Sequence, residues 1–510
     1  MKKSLATIAG IGMLEFLAFP KNSEASTHYV SPSGSHVYPY DSWENASTNI
    51  QDAISAGQDF ENEVIIGDGT YSSPKDRNLW WTDKVVIVKS ANGNKNCVID
   101  CKNEDRAFKL DAYQTRDDTL EGLTIINGKA HDPYQGNNDY HGGGAIWCED
   151  SSPTITNCVF KYNKADVSPE DIYADGGAIS CSSDSSPLII DCDFIENQAT
   201  HTGGAISADD SDPSIKECKF VKNHSNGCYG GGAISMSLSY GEIYNCLIYS
   251  NTAHFYSFGG GYGSGILCLN SNPEIYNCTL TANSTKNGSD LGEGTLRIRG
   301  LPFPIIKNCV IYGNESSSGL EDVDCQYSYV LNITYSDIGS GTYNPITNNH
   351  NLSQNPLFIG NYKLDQNSPC NDTGTNLLSV SKDIEDTPRP LDGNNNGKSM
   401  TDMGCYEFSH PNVDTDNDGA TDSEEYIAST DPTDENSRLM VNKIIPIGEN
   451  MHVVWSGGAK SRQYLEASDN PSDSDGWNPI YTNEPPTQEI ESYDDPSSAI
   501  RFYRIRAQRD

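Results

Sequence analysis

The 510-residue chain is poor in positive charge: 34 Lys+Arg stand against 71 Asp+Glu, a formal net charge of −37. A protein that grips nucleic acid through its phosphates needs a basic face, so this balance excludes a sequence-independent nucleic-acid binder and disfavours anionic membrane surfaces. Long apolar runs are missing after residue 25. No segment there reaches the ~18 apolar residues of a membrane span. The chain also lacks a Ser/His/Asp signature, a phosphate-binding loop and a His-Glu-x-x-His metal motif. What it has instead is 45 Gly, 28 Tyr and only 35% hydrophobic residues. That is the composition of a turn-rich all-β repeat protein rather than of a disordered chain. Its 15 cysteines, an odd number, cannot all be paired.

At the N-terminus, Lys2 and Lys3, an apolar stretch from Leu5 to Phe19 broken by Glu15, and Ser23-Glu24-Ala25 have the layout of a secretory signal. Residues 1–25 are therefore expected to direct export. The mature chain should work outside the cytoplasm or on the cell surface.

An internal repeat organises the middle of the chain. Gly-Gly-Ala-Ile recurs at Gly143–Ile146, Gly176–Ile179, Gly203–Ile206 and Gly231–Ile234, with a weaker copy at Ser264–Ile266. Each copy is followed by a block centred on Cys158, Cys192, Cys218, Cys246, Cys278 or Cys309. Counted from the cysteine, position −3 is always isoleucine, +2 is Phe160, Phe194, Phe220, Ile248, Leu280 or Ile311, and +5 is always asparagine, from Asn163 to Asn314. Cysteine and +2 share strand parity and −3 does not, so a bend must lie between them. Position −1 is Asn157, Asp191, Glu217, Asn245, Asn277 or Asn308, mostly types that tolerate a left-handed corner. Two short strands joined by that bend, and a third opened by Gly-Gly-Ala-Ile, predict one coil of a right-handed parallel β-helix. Stacking should bury Ile, Phe and Cys in columns and align the asparagines in a ladder. The cysteine column reads as free interior thiols; Cys370 with Cys405, or Cys97 with Cys101, are better disulfide candidates. Unequal insertions after each ladder asparagine carry His201, His224 and His254, whose scatter argues against a metal site.

The paired motifs resemble the repeats of the polymorphic outer-membrane proteins, with Phe160-Lys161-Tyr162-Asn163, Phe194-Ile195-Glu196-Asn197 and Phe220-Val221-Lys222-Asn223 matching the Phe-x-x-Asn half. The resemblance implies a surface-displayed β-helix used in adhesion. The chain departs from that family in having no series of alternating ten-residue strands for a translocating barrel. Asn355-Pro356-Leu357-Phe358, Ser368-Pro369-Cys370, Pro388-Arg389-Pro390 and Asp402-Met403-Gly404-Cys405-Tyr406-Glu407 look like the terminal region of secreted β-helix proteins called choice-of-anchor Q. That likeness implies a segment closing the solenoid.

The expected organisation is a signal at 1–25, an N-terminal cap at 26–60 with a short amphipathic helix after a Ser42 cap, β-helix repeats at 61–340, terminal coils and cap at 341–408, a calcium linker at 409–437 and a small β-sandwich at 438–510. The linker rests on Asp414, Asp416, Asp418, Asp422 and Glu425, at positions 1, 3, 5, 9 and 12 of a loop with Gly419 at 6. That spacing wraps oxygens around calcium, with Ala420 adding a carbonyl. Pro411 forbids a long entering helix. With Thr430-Asp431-Pro432 the segment resembles thrombospondin type 3-like linkers. Past Leu439, short alternating runs such as Met451–Trp455 and Phe502–Arg506 read as the sandwich, a binding or spacing module.

For chemistry, adjacent coils repeat Glu242-Ile243-Tyr244 and Glu274-Ile275-Tyr276. With the isoleucines inward, Glu242 and Glu274 should lie ~4.8 Å apart on the outer face, near the spacing of a retaining glycosidase pair, with Tyr244 and Tyr276 as a sugar-stacking surface. Arg297 could bind a uronate. The plainer expectation is a solvated ladder that follows from repetition, with Arg297 a surface charge. The favoured function is a monomeric, non-catalytic β-helix that binds a polysaccharide or a cell-surface glycan or protein. The alternative is a calcium-assisted polysaccharide lyase or glycoside hydrolase.

Overall fold

The computed structural model describes residues 26–57, 61–130, 142–166, 174–226, 230–254, 263–286, 294–301, 303–316, 319–325, 330–346, 349–496 and 501–509. Residues 1–25, where a secretory signal is expected, and most of the insertion loops lie outside them. The fold is a parallel β-solenoid followed by a two-stranded antiparallel sheet, Phe358–Ile359 with Lys363–Leu364, and two three-stranded antiparallel sheets.

Each repeat coil from Thr154 to Arg299 has four short strands, one more than the repeat suggests. Leu188–Ile190, Asp193–Ile195, Gln198–Ala199 and Ile206–Asp209 pair in parallel and in register with Ser214–Lys216, Lys219–Val221, His224–Ser225 and Ile234–Ser237 of the next coil. The extra strand is two or three residues long and follows the ladder asparagine directly, its second residue small and buried (Ala165, Ala199, Ser225, Ala253, Thr285). Stacking gives sheets of 12, 10, 7 and 9 strands among the described residues. The solenoid begins before residue 61, because Ser26–Val30 pairs in parallel with Glu61–Ile66.

Corners decide the coil's shape. The −1 residues, from Asn157 to Asn308, all adopt φ between 50° and 54°, the left-handed bend that sequence parity requires. A second left-handed corner stands at +4, with Tyr162, Glu196, Lys222, Ser250 and Ala282 at φ 52–60°. The two glycines of Gly-Gly-Ala-Ile have separate causes. The first has positive φ, 64–73° at Gly143, Gly176, Gly203 and Gly231. The second has no room: a Cβ on Gly144, Gly177, Gly204 or Gly232 would lie 2.1–2.3 Å from a carbonyl oxygen of the next coil.

The interior is filled by columns of residues in register. Phe160, Phe194 and Phe220 stack with ring centroids 4.9 and 4.8 Å apart and nearly parallel planes. Substituting Phe194→Leu removes two stacking contacts but keeps most of the volume, so urea unfolding should show a loss of about 1–2 kcal/mol. All fourteen described cysteines are free thiols and buried. In the column each S–H lies near a carbonyl oxygen, as Cys158 to Thr156 at 3.2 Å and Cys218 to Lys216 at 3.1 Å. Burial holds the thiols of Cys158, Cys218, Cys278 and Cys309 well above the ordinary range. The two expected bridges are absent. Cys97 and Cys101 stand at the ends of one extended strand, ~13 Å apart, beyond disulfide reach. Cys370 and Cys405 pack in separate clusters, beside Leu364 and Ile384 respectively.

At the open first coil, helix α1 (Ile50–Ala56) lies against Ser26–Val30 and Glu61–Ile66 and buries Ile50, Ala53, Ile54 and Ala56. It starts later than expected: Asn49, not Ser42, is the cap, its side chain accepting from the Asp52 N–H.

The segment Asn355–Phe408 differs most from expectation. It runs back along the solenoid's flank as a flap, where the sequence had suggested an end closure. Val380 and Leu377 pack on Tyr244 and Tyr276, Ile384 and Tyr406 on Leu247, and Met403 and Leu364 on Val310. The backbones join at Gly404 N–H to Asn308 O (2.7 Å), while Asn245 and Asn308 donate side-chain bonds to Lys382 O and Thr375 O. Outward positions beneath the flap are Leu247 and Val310, where earlier coils carry Asp193 and Lys219.

Beyond residue 438, Met440–Ile447, Asn450–Ser456 and Ile490–Asp495 form one antiparallel sheet. Arg462–Ser468, Asn478–Asn483 and Phe502–Gln508 form the other. Val453, Trp455 and Leu465 make the core between them.

Candidate functional sites

The Glu/Tyr ladder is in register, Glu242 opposite Glu274 and Tyr244 opposite Tyr276. The tyrosine rings stack at 5.1 Å. Their surroundings correct the expected sugar platform: both tyrosines are only 7–8% exposed, because Leu377 and Val380 of the flap lie on them. Lys216 sits over one ring and Lys307 over the other, closing a Lys-Tyr-Tyr-Lys stack. The glutamates are engaged too. Glu274 accepts the Tyr244 hydroxyl at 2.8 Å, while Glu242 pairs with Lys216 at 3.2 Å and accepts from Ser214 at 3.1 Å. Burial, then the Glu274 bond, raises the Tyr244 hydroxyl above the ordinary tyrosine range. Arg297 is not a surface charge. It lies buried on the outer face of its sheet, ion-paired with Asp324 of the next coil, its register partner.

The three histidines do not converge. His201 bonds Asp175 at 2.7 Å, and Asp175 also accepts from the Thr202 N–H and hydroxyl, so the group ties an insertion to the coil. His224 and His254 meet edge to face at 4.4 Å, and burial lowers both.

The acidic loop brings its residues together. Ligand atoms of Asp414, Asp416 and Asp418 lie within 4.8 Å of one another, and among the described residues this is the one such group with metal-holding geometry. The loop closes on its own carboxylates: Asp418 N–H and Gly419 N–H donate to Asp414, and Ala420 N–H to Asp418. Gly419 at φ 100° and Asn417 at 64° make the sharp turn. Helix α2 (Asp422–Ala428) follows, capped by Thr421 with Glu424 reaching back. Glu425, on α2, is buried, and burial together with the neighbouring Asp416 and Asp418 charges pushes its carboxyl up to about 8. One oxygen each of Asp416, Asp418 and Glu425 is buried with no hydrogen-bond partner. Asp418 Oδ2 lies 3.8 Å from the Arg438 guanidinium, whereas the Asp416 and Glu425 oxygens lack any hydrogen-bond partner, at a free-energy cost that a bound cation would offset. Asp422 stands apart: both its oxygens are taken by Thr415, at 2.9 and 2.8 Å, so it orders the loop from within.

Two features escaped sequence reading. Buried serines Ser185, Ser211, Ser239 and Ser271 form a second ladder, for example Ser185 N–H to Ser211 Oγ at 3.2 Å. Its signal was present as serine at −7, two residues before the proline. Inside the flap, Asp383, Asp402 and Glu407 are buried around Arg389, a cluster without a sequence pattern.

No helix among the described residues is long and apolar enough to cross a membrane. Residues 191–209 match the family model of the Chlamydia polymorphic membrane protein repeat, a stretch holding Phe194-Ile195-Glu196-Asn197 and Gly203-Gly204-Ala205-Ile206. No curated protein matches the chain. Among solved structures, the chain is similar to pectate lyase Pel9A, at 15% identity over 76% of this chain and 97% of that one, TM-score 0.44. It is also similar to the deglycosylated pectin methylesterase from Aspergillus niger, at 11% identity over 63% and 92%, TM-score 0.29.

Proposed function

We propose that the protein is an exported, surface-displayed β-solenoid that binds a polysaccharide or a cell-surface glycan or protein without transforming it, with a calcium-braced joint before its C-terminal sandwich. The observation that carries this reading is the occupation of the Glu/Tyr ladder: the tyrosines that would stack a sugar lie under the flap, and the glutamates beside them bond Tyr244, Ser214 and Lys216. An acid and a base that work on a sugar need an open cleft between them. Here Glu274 serves Tyr244 and the tyrosines serve Leu377 and Val380. The test is incubation with pectins, alginates and glycosaminoglycans plus calcium. Binding without new reducing ends or unsaturated uronates is expected; turnover lost in Glu242→Gln would overturn the reading in favour of a lyase or hydrolase.

For the joint, Asp414, Asp416, Asp418 and Glu425 would hold calcium, with Ala420 O beside them. The ion would supply the positive charge that the orphaned oxygens lack. Calcium at about 100 times its dissociation constant should stabilise this region by ~2.7 kcal/mol in thermal unfolding, and Glu425→Gln should abolish the gain. An equal shift in the variant would rule the loop out.

A further inference from the structure

The helix that carries Glu425 also carries the attachment of the C-terminal sandwich. Three successive carbonyls at the end of α2 accept from that sandwich: Tyr426 O from Arg509 at 2.9 Å, Ile427 O from Ser461 at 2.6 Å, and Ala428 O from Gly458 N–H at 3.1 Å. The same turn reaches the flap on its other side. The Tyr426 hydroxyl bonds Glu385 of the flap, and Lys363 joins both groups while lying over the Tyr426 ring. Arg509 closes the junction. Its guanidinium stacks on Tyr426 at 4.2 Å and its second nitrogen donates to Glu385 O at 2.6 Å, so one residue just past the last sandwich strand, Phe502–Gln508, grips both helix and flap. At the loop end, Arg438 donates to Asp418 O at 2.7 Å and leads directly into the first sandwich strand.

Seven residues are too few to hold a helix by themselves. What fixes α2 is therefore what it touches: the acidic loop through Asp422, whose carboxylate accepts from Thr415 and whose N–H donates to Val413 O, with Glu425 beside the Asp416 and Asp418 charges; the sandwich through its terminal carbonyls; and the flap through Tyr426. The first of these carries like charges and orphaned oxygens, among them the buried and unpartnered Glu425 Oε2.

We infer that divalent cation binding at the Asp414–Glu425 loop is coupled to docking of the C-terminal sandwich on the flap, with α2 as the shared element. This rests on the calcium reading given above. With the ion bound, the loop holds α2 in place, and Tyr426, Ile427 and Ala428 present their acceptors to Arg509, Ser461 and Gly458. Without it, repulsion among Asp416, Asp418 and Glu425 loosens the helix and the sandwich swings on the 409–437 linker. Because coupling is reciprocal, weakening the sandwich side must weaken the ion.

The test uses the full chain and two readouts, calcium titration by calorimetry and the maximum dimension from small-angle scattering with calcium and with chelator. The expected results are a larger maximum dimension and trypsin cleavage after Arg438, at the end of the linker, in chelator, both reversed by calcium. The double variant Ser461→Ala/Arg509→Met should keep the solenoid's circular dichroism yet bind calcium at least about fivefold more weakly, although neither residue lies in the loop. Absence of calcium binding in the wild type would overturn the calcium reading itself. Calcium binding with unchanged scattering, unchanged cleavage and unchanged affinity in the double variant would leave that reading standing and overturn the coupling.

Discussion

Replacing Asn223 by alanine should cost about 4 kcal/mol of solenoid stability, one of the two largest losses expected from any single substitution considered. Asn223 is fully buried in the middle of the ladder. Its amide donates to Phe194 O at 2.8 Å and to Asn251 Oδ1 at 3.0 Å, and its own oxygen accepts the backbone and side-chain N–H groups of Asn197, both at 3.0 Å. Alanine leaves the Asn197 N–H and the Phe194 carbonyl without these partners in a dry interior, at ~1–3 kcal/mol each, and empties the space of the amide. The ladder also loses its continuity, which runs from the Gly128 N–H, the donor to Asn163, to Asp322, the acceptor from Asn314. Because each coil contacts mainly its neighbours, the damage should centre on the coils holding Asn197 and Asn251, visible as lost amide-exchange protection there. The corner residue Asp191, at φ 51° on the surface of an adjacent coil, supplies the contrast. Asp191→Gly should change stability by no more than about 0.5 kcal/mol, because glycine takes the left-handed conformation freely. A loss under 1 kcal/mol for Asn223→Ala would mean that water enters and replaces the amide.

That contrast marks which parts of the molecule are legible in the sequence. Residues that perform the same task in every coil announce themselves by repetition: the −3 isoleucines, the +5 asparagines, the left-handed −1 corner and the paired glycines. The acidic loop is legible for a different reason, since its carboxylates fall at a fixed spacing within twelve residues. The short strand after the ladder asparagine could not be read, because its one repeated feature is a small buried residue at the second position, Ala165, Ala199, Ser225, Ala253 or Thr285, too weak a pattern to mark a strand. The flap could not be placed because its contacts join residues far apart in the chain, such as Asn245 with Lys382 and Thr279 with Cys405. A partial signal did exist, in Leu247 and Val310 standing outward in the column that holds Asp193 and Lys219 in the two preceding coils. The ladder of Glu242, Glu274, Tyr244 and Tyr276 shows the corresponding error. Its register was read correctly, but an outward side chain is only exposed if nothing is folded over it, and what is folded over it lies more than a hundred residues downstream.

The second large effect is expected inside that flap. The segment has little regular structure, so its backbone N–H groups need other acceptors, and buried carboxylates provide them. Asp402 accepts from the Asp372 and Phe408 N–H groups, both at 2.7 Å; Asp383 accepts from Glu385, Thr387 and Glu407; Glu407 accepts from Leu391 and Asp402. Arg389 is the cation among them, its side chain fully buried 3.5 Å from Glu407 and donating to Gly404 O at 3.0 Å. Burial raises all three carboxyls, Glu407 to about 7, while Arg389 pulls Asp383 and Glu407 back down. Arg389→Met keeps the stem's packing and removes that charge, leaving buried carboxylates uncompensated. The expected loss is about 3–5 kcal/mol near pH 7.5. The sign with pH follows from the direction of the shifts. A carboxyl raised above its unfolded value favours the folded flap at low pH and loses that contribution as pH rises through the folded value, here about 7 for Glu407. The variant's deficit should therefore shrink toward pH 5, where the carboxyls take up protons in place of the lost cation. Amide exchange of residues 377–408 at pH 5 and 7.5 reads this directly, and a deficit of equal size at both would show that Arg389 acts by packing instead of charge. Loosening the flap also lifts Leu377 and Val380 from Tyr244 and Tyr276, so the same variant near pH 7.5 should expose the tyrosine stack to solvent and to quenchers while the Asn163–Asn314 ladder keeps its protection.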